Sequence, residues 1–189
     1  MKILAFAATN SRQSINKQVV QAAGDIITSD LDQNAEIEII DLNDYEMPIY
    51  SIDRETDGGI PEEAKRFHEK ISAADALIVS YAEHNGTYTA AFKNVFDWAS
   101  RINMKVFQDK PQVALSASMG PGGAASVLKS AVGSAGFFGA DIRGSLSIGP
   151  FNEKFDTQTG KLADEGLEHS LREALSDLLD AAQDAERAA

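Results

Sequence analysis

The chain has 189 residues, of which 43% are apolar, and this suits one globular domain over residues 1–189 that buries a core without disulfides. It contains no cysteine, which excludes thiol nucleophiles, disulfides and thiolate metal sites. Its net charge of −12 makes nucleic acid and anionic membranes poor partners. No segment reaches the ~20 apolar residues of a membrane span, so we expect a cytoplasmic protein. The three histidines are not in ligand spacing, and we expect no bound metal.

Two hydrophobic patterns alternate along the chain. Short, continuous apolar runs are typical of strands covered on both faces, whereas apolar residues at intervals of three and four indicate helices. In chain order these patterns predict a strand at residues 2–7, a helix at 15–28, a strand at 36–41, a helix at 61–73, a strand at 76–81, a helix at 88–101, a strand at 112–116, a helix at 124–134, a strand at 141–148 and a helix at 167–182.

This alternation predicts an α/β fold in which helices cover both faces of a five-stranded parallel sheet. Right-handed crossovers favour a doubly wound sheet with the strand order 2-1-3-4-5. Ligands of such sheets bind beyond the carboxyl ends of the strands, where the order reverses. The loops after strands 1, 3 and 4, which begin near Ala8, Ala82 and Ala117, are therefore the candidate site.

The first loop, at residues 8–16, is rich in hydroxyl and carboxamide side chains and directly precedes a helix. Residues 1–24 contain three basic residues and no acidic residue, although the chain as a whole is acidic. Hydroxyls and the free N–H groups of a helix start can surround a phosphate, and Arg12 could add a charge-assisted contact. The alternative is that Ser14 only caps the helix.

The loops after the third and fourth strands offer backbone groups more than reactive side chains. Gly120, Gly122 and Gly123 let a ligand approach the backbone closely, although they are equally compatible with a tight turn. Exposed N–H and C=O groups near Glu83 and His84 could pair with a planar heterocycle. A lone loop histidine is usually solvated, and nothing in the sequence pairs Glu83 with an acid or a nucleophile.

Together the three loops resemble the NADPH-dependent FMN reductases of flavodoxin-like fold, a family that includes quinone, azo-dye and chromate reductases. The resemblance covers roughly residues 1–148. The positions of the family's first-loop pattern, Gly-Ser-x-Arg-x-x-Ser-x-Asn, are occupied by Ala8, Thr9, Ser11, Ser14 and Asn16. The more specific motif follows the third strand, and its matching residues are Glu83, Asn85, Gly86, Lys93, Asn94, Asp97 and Trp98.

The resemblance implies a three-layer sandwich with one FMN site at the carboxyl edge. The residues that it assigns to the FMN phosphate are Thr9, Ser11, Ser14 and Asn16, with Arg12 as a further candidate. The residues that it places beside the isoalloxazine, largely through backbone groups, are Ala82, Glu83, His84 and Asn85. The residues that it places on the pyrimidine side of the ring are Ser118, Gly120, Gly122 and Gly123.

The implied reaction passes a hydride from NADPH or NADH through bound FMN to a small acceptor: a quinone, a free flavin, an azo compound or chromate. Because the cofactor does the chemistry, no acid–base pair is required. His84 is the one candidate for donating a proton or a hydrogen bond to the acceptor. Family members assemble with their active sites at a dimer interface, so the resemblance implies a homodimer or a homotetramer.

Several positions depart from the family's patterns. Ala8 replaces a glycine, Ser11 stands where arginine is common, and Ala82 and His84 replace proline and tyrosine. Substrate preference is therefore not carried over from the family. The sequence also leaves open a flavodoxin-like electron carrier, which would bind FMN without reacting with NAD(P)H.

Overall fold

The computed structural model describes residues 1–188. Its strands, in chain order, are β1 (Lys2–Ala7), β2 (Glu36–Ile40), β3 (Ala76–Tyr81), β4 (Glu83–His84), β5 (Thr87–Tyr88), β6 (Lys110–Ala117), β7 (Ala140–Ile148), β8 (Phe155–Asp156) and β9 (Lys161–Leu162). Its α-helices are α1 (Ile15–Ile26), α2 (Ile52–Gly58), α3 (Glu62–Ser72), α4 (Ala90–Ile102), α5 (Ala125–Ser134), α6 (Phe151–Lys154) and α7 (Glu165–Ala188). A π-helical turn at Ile27–Leu31 follows α1, and a 3₁₀ turn at Leu42–Tyr45 follows β2.

Five strands form one parallel sheet in the order β2-β1-β3-β6-β7. This is the predicted 2-1-3-4-5 order, counted over the long strands, and the prediction is confirmed. Strands β1 and β3 are predominantly apolar because helices cover both of their faces. All six residues of β3 are buried, and so are all but the first residue of β1.

The core consists of two layers, one on each face of the sheet. On one face α1 and α7 pack against the sheet through aliphatic side chains such as Val19 and Leu175. On the other face α3, α4 and α5 pack through a more aromatic set that includes Phe6, Phe67 and Phe92. The three-layer sandwich predicted from the sequence is thus the observed architecture.

Two kinds of element differ from the sequence prediction. The helix predicted from residue 88 begins at Ala90, because Tyr88 belongs to a two-stranded hairpin in which β4 pairs with β5. The short elements α2, α6 and the β8–β9 hairpin were not predicted, because elements of two to seven residues are too short to show a detectable hydrophobic periodicity. No helix within residues 1–188 is long and apolar enough to cross a membrane.

Candidate functional site

Three loops meet at the carboxyl edge of the sheet, where β1, β3 and β6 end side by side. The backbone N–H of Ala8 donates to the carbonyl of Ser80 at 2.8 Å, which joins the ends of β1 and β3. The hydroxyl of Thr89, at the start of α4, donates to the carbonyl of Ala8 at 2.9 Å. The loops that the sequence singled out are therefore brought together.

The first loop presents hydrogen-bond donors and no carboxylate. Ser14 caps α1, since its Oγ accepts the N–H of Asn16 at 3.1 Å. The buried Oγ1 of Thr9 accepts the N–H of Ser11 at 3.2 Å, which holds the turn. No acceptor within residues 1–188 takes the backbone N–H of Arg12 or Gln13, and both residues are exposed. Free N–H groups before a helix, together with the exposed Arg12, match the donor set that a phosphate requires.

Asn16 lies beneath this loop and not on its surface. Its side chain is buried, its Oδ1 accepts the N–H of Ala117 at 3.0 Å and the Ser80 hydroxyl at 2.8 Å, and its Nδ2 donates to the Ala117 carbonyl at 3.2 Å. The carboxamide thus pairs with the end of β6 as a neighbouring strand would. It links the first loop to the other two.

The third-strand motif has two parts with separate structural roles. In the first part, Asn85 and Gly86 form the two-residue turn of the β4–β5 hairpin, with φ angles of 53° and 80°. Asparagine and glycine are the usual residues of such turns because both tolerate positive φ. His84 is exposed at this turn, whereas Ala82 is buried just before it.

In the second part of the motif, Asn94 and Trp98 on α4 hold down the segment after β2. We call residues 46–59 the strap. Asn94 donates from Nδ2 to the carbonyls of Met47 and Pro48 at 3.1 and 3.2 Å, and its Oδ1 accepts the N–H of Tyr50 at 2.8 Å. Trp98 Nε1 donates to the Pro48 carbonyl at 2.7 Å. The motif residues on α4 thus position the strap.

Two glycines, one in the glycine-rich loop after β6 and one directly after β7, have no room for a side chain. Gly123 has a φ of +57°, and a Cβ there would lie 2.9 Å from the backbone nitrogen of Ile148. Gly149, which the sequence reasoning missed, faces the same loop, and its Cβ would lie 2.5 Å from the Gly120 carbonyl oxygen. Only its place directly after a predicted strand could have signalled this. Gly120 and Gly122 are exposed and leave the backbone accessible.

Glu83 bridges the second and third of these loops. Its Oε2 accepts the N–H of Val127, in the first turn of α5, at 2.9 Å. Sequence reasoning placed Glu83 beside a flavin ring through its backbone and did not anticipate this side-chain contact. Only the fold shows the carboxylate beside a helix start that lies 44 residues away in the chain.

These features fit FMN, a group that combines a phosphate with a planar ring. The donors of the first loop suit the phosphate, and the absence of any acidic residue before Asp25 avoids repulsion there. The hairpin and the glycine-rich loop present main-chain groups with little side-chain cover, as a ring edge requires. Within residues 1–188 no cluster of three or more histidine or acidic side chains could hold a metal ion.

A cleft of about 200 Å³ adjoins the first loop on the strap side. Asn10 from the first loop, Met47 and Ile49 from the strap, and Ala90 and Asn94 from α4 are among its lining residues. The strap therefore forms one wall of the cleft beside the loop.

The arrangement defines a class of protein, the α/β flavoproteins with a doubly wound sheet of flavodoxin type. The family model for NADPH-dependent FMN reductases matches residues 1–152, and the chain belongs to this family. The family is one of oxidoreductases that use FMN as cofactor and NAD(P)H as donor. The resemblance found in the loops is thus confirmed.

Curated relatives and solved structures agree with this assignment. A 2-hydroxy-1,4-benzoquinone reductase of Burkholderia is 32% identical over 126 residues, covering 66% of this chain and 64% of the relative. An NAD(P)H-dependent FMN reductase of Pseudomonas aeruginosa is 31% identical over 128 residues, with coverage of 66% and 64%. Both alignments span less than two thirds of the relative's own length. The flavoenzyme FerB of Paracoccus denitrificans, an NAD(P)H:(acceptor) oxidoreductase, superposes with a TM-score of 0.74 at 20% identity over 97% of each chain. This last likeness concerns the fold.

Proposed function

We propose that this chain is an FMN-dependent NAD(P)H oxidoreductase that reduces a small acceptor, with quinones as the preferred class. The observation that carries the proposal is the carboxyl edge itself, where a carboxylate-free loop with free N–H groups lies beside two loops with accessible backbone. When bound, FMN would accept a hydride from NAD(P)H and pass reducing equivalents to the acceptor.

In the proposed function, the residues of this chain bind FMN and orient it. Ser11, Arg12 and the N–H groups at the start of α1 hold the phosphate, with Thr9 and Ser14 shaping the turn. Asn16 supports the first loop from below, because its carboxamide is engaged with Ser80 and Ala117.

Two loops hold the ring. The backbone of residues 82–85 lies along one side of it, and the backbone of residues 118–123 lies along its pyrimidine side. His84 is exposed at the hairpin turn and remains our candidate for a hydrogen bond to the acceptor.

The structure favours a reductase over an electron carrier. A carrier buries its flavin between aromatic walls, and the aromatic residues of these loops are Tyr81 and Tyr88. Both rings pack against the core instead: Tyr81 is 1% exposed, Tyr88 is partly buried, and their ring centroids lie 5.6 and 5.3 Å from that of Phe92. Their absence from the site would leave one face of the ring open for a nicotinamide and then for an acceptor.

Quinones are proposed as the acceptor because of the relatives' names, which include a 2-hydroxy-1,4-benzoquinone reductase and a quinone reductase of Escherichia coli. The test measures oxidation of NADPH and NADH by FMN-loaded protein with a benzoquinone, free FMN, an azo dye or chromate as acceptor. We expect the highest kcat/KM with the benzoquinone. A higher kcat/KM with another acceptor would show that this acceptor, and not the quinone, is preferred. If NADPH and NADH were not oxidised with any of the acceptors, the reductase function would be contradicted.

We also propose a homodimer or a homotetramer, and a cytoplasmic location, where NAD(P)H is regenerated. The strap offers the surface for self-association, because Ile49 and Ile52 are 74% and 61% exposed. Trp98 and Phe107 do not extend this surface, because both are core residues, at 1% and 5% exposed.

A further inference from the structure

The start of α5 is capped by a side chain from a different loop. Val127 is the third residue of α5, so its N–H is among the first donors that no carbonyl of the helix satisfies. Ala124, which precedes the helix, has a left-handed backbone and offers no side-chain cap, and the first turn carries no acidic residue. The carboxylate of Glu83 supplies both the acceptor and the negative charge, at 2.9 Å from the Val127 nitrogen.

Both ends of this contact, which we call the Glu83 brace, are fixed in place. On one side Glu83 pairs with Tyr88 across the β4–β5 hairpin, whose turn is Asn85-Gly86. On the other side Gly123 lies so close to Ile148 that a Cβ at this position would be 2.9 Å from the Ile148 backbone nitrogen. The brace therefore joins a paired hairpin to a closely packed loop, and in the proposed function these two segments flank the isoalloxazine.

The negative charge of Glu83 affects the balance between reduced and oxidised FMN when the flavin ring lies between these loops. A helix start carries about half a positive charge and stabilises a nearby anion. In this chain the Glu83 carboxylate already occupies the start of α5. Reduced FMN is the more negative form of the couple, so a fixed carboxylate next to its site disfavours that form relative to the oxidised one.

We propose that Glu83 is a positioning residue that joins the two ring-flanking loops and lowers the midpoint potential of the bound FMN. This inference rests on the proposed function. A lower potential makes the reduced cofactor a stronger donor. The chain would thereby favour passing its electrons on over retaining them, as a reductase requires.

The decisive variant is Glu83→Gln, because glutamine keeps an oxygen acceptor at the same place and removes only the charge. We expect reduced FMN to bind about tenfold more tightly, relative to oxidised FMN, than in the wild type. For a two-electron couple this is a shift of about +30 mV in midpoint potential, measured by anaerobic spectroelectrochemistry. FMN-loaded Glu83→Gln with an unchanged potential would overturn the charge role.

Glu69→Gln is the matched control. Glu69 is exposed in the last turn of α3, at the opposite edge of the sheet, and its replacement removes the same charge. We expect no change in potential. An equal shift in this variant would mean that the net charge of the protein is responsible, and would overturn the proposal.

Hydrogen exchange at the Val127 amide tests the brace in the absence of FMN. We expect protection in the wild type and in Glu83→Gln, and faster exchange in Glu83→Ala. Unprotected Val127 in the wild type would overturn the brace. A wild-type protein that binds no FMN would refute the proposed function and the charge role with it, and the exchange result would still decide the brace.

Discussion

Single polar side chains decide the geometry of the carboxyl edge. Asn16 is 2% exposed, and its carboxamide satisfies both backbone groups of Ala117 and the hydroxyl of Ser80. Each of these groups is buried, so water cannot take the place of a lost hydrogen-bond partner. A buried polar group left without a partner costs about 1–3 kcal/mol, so one side chain here supports the placement of α1 relative to two strands, β3 and β6.

Asn16→Ala should therefore lower the free energy of unfolding by about 3 kcal/mol, read from urea denaturation at unchanged slope. It should also weaken the binding of FMN and of riboflavin by the same factor, because the carboxamide supports the loops and does not face the phosphate. Asn10→Ala, at an exposed position of the same loop, serves as the control for stability. Unchanged stability with a loss of FMN affinity alone would show that Asn16 contacts the phosphate.

The residues of the candidate site could be predicted from the sequence more readily than their contacts. Asn85-Gly86 and the glycines after β6 were found because turn chemistry is local. Asn94 and Trp98 were found through the resemblance, but their contact with the strap joins residues 44 to 50 positions apart and leaves no local pattern. The brace from Glu83 and the packing of Gly149 are likewise products of the tertiary fold.

Polar contacts attach much of the strap to the rest of the molecule, although Met47 and Tyr50 also make apolar contacts. Its helix α2 buries none of its residues. Besides Asn94 and Trp98, its attachment includes Glu55, which accepts from Arg101 Nε at 2.9 Å. Segments with little apolar burial open at a lower free energy than the core. The strap should therefore be the part of the site that individual α4 side chains control most directly.

Asn94→Ala should release the strap, because it removes three hydrogen bonds to residues 47–50. We expect cleavage by trypsin after Arg54, an exposed residue of α2, to become about tenfold faster, which corresponds to about 1.4 kcal/mol of easier local opening. Asp97→Asn, which breaks only the ion pair with Lys93 on the same helix, should leave this cleavage unchanged. Slow cleavage in both variants would show that the strap does not depend on Asn94.

The molecule is acidic as a whole, but the carboxyl edge of its sheet presents free hydrogen-bond donors. The net charge is −12, and no acidic residue precedes Asp25 in the chain. The order of the sheet was predictable because buried parallel strands carry strong, uninterrupted apolar runs and crossovers have one hand. Assembly was not predictable in the same way, because an apolar side chain in the sequence can face the core, as Phe107 does, or solvent, as Ile49 does.

Replacement of both Ile49 and Ile52 by lysine should dissociate the proposed oligomer to monomers in sedimentation velocity, because it places two charges in the apolar surface of the strap. Phe137→Lys is the control, since Phe137 is 69% exposed and lies between α5 and β7, away from the strap. A strap variant that keeps its oligomeric state, or a wild type that sediments as a monomer, would contradict the proposed interface.

The proposed reaction is the reduction, by NAD(P)H, of FMN bound at the carboxyl edge of the sheet. Its most direct test is anaerobic absorbance spectroscopy of the purified protein loaded with FMN, before and after addition of NADPH and, separately, NADH. We predict that the flavin band bleaches rapidly with at least one of the two nucleotides, and the faster one identifies the donor. Tight FMN binding without bleaching by either nucleotide would contradict the proposed reaction and indicate an electron carrier.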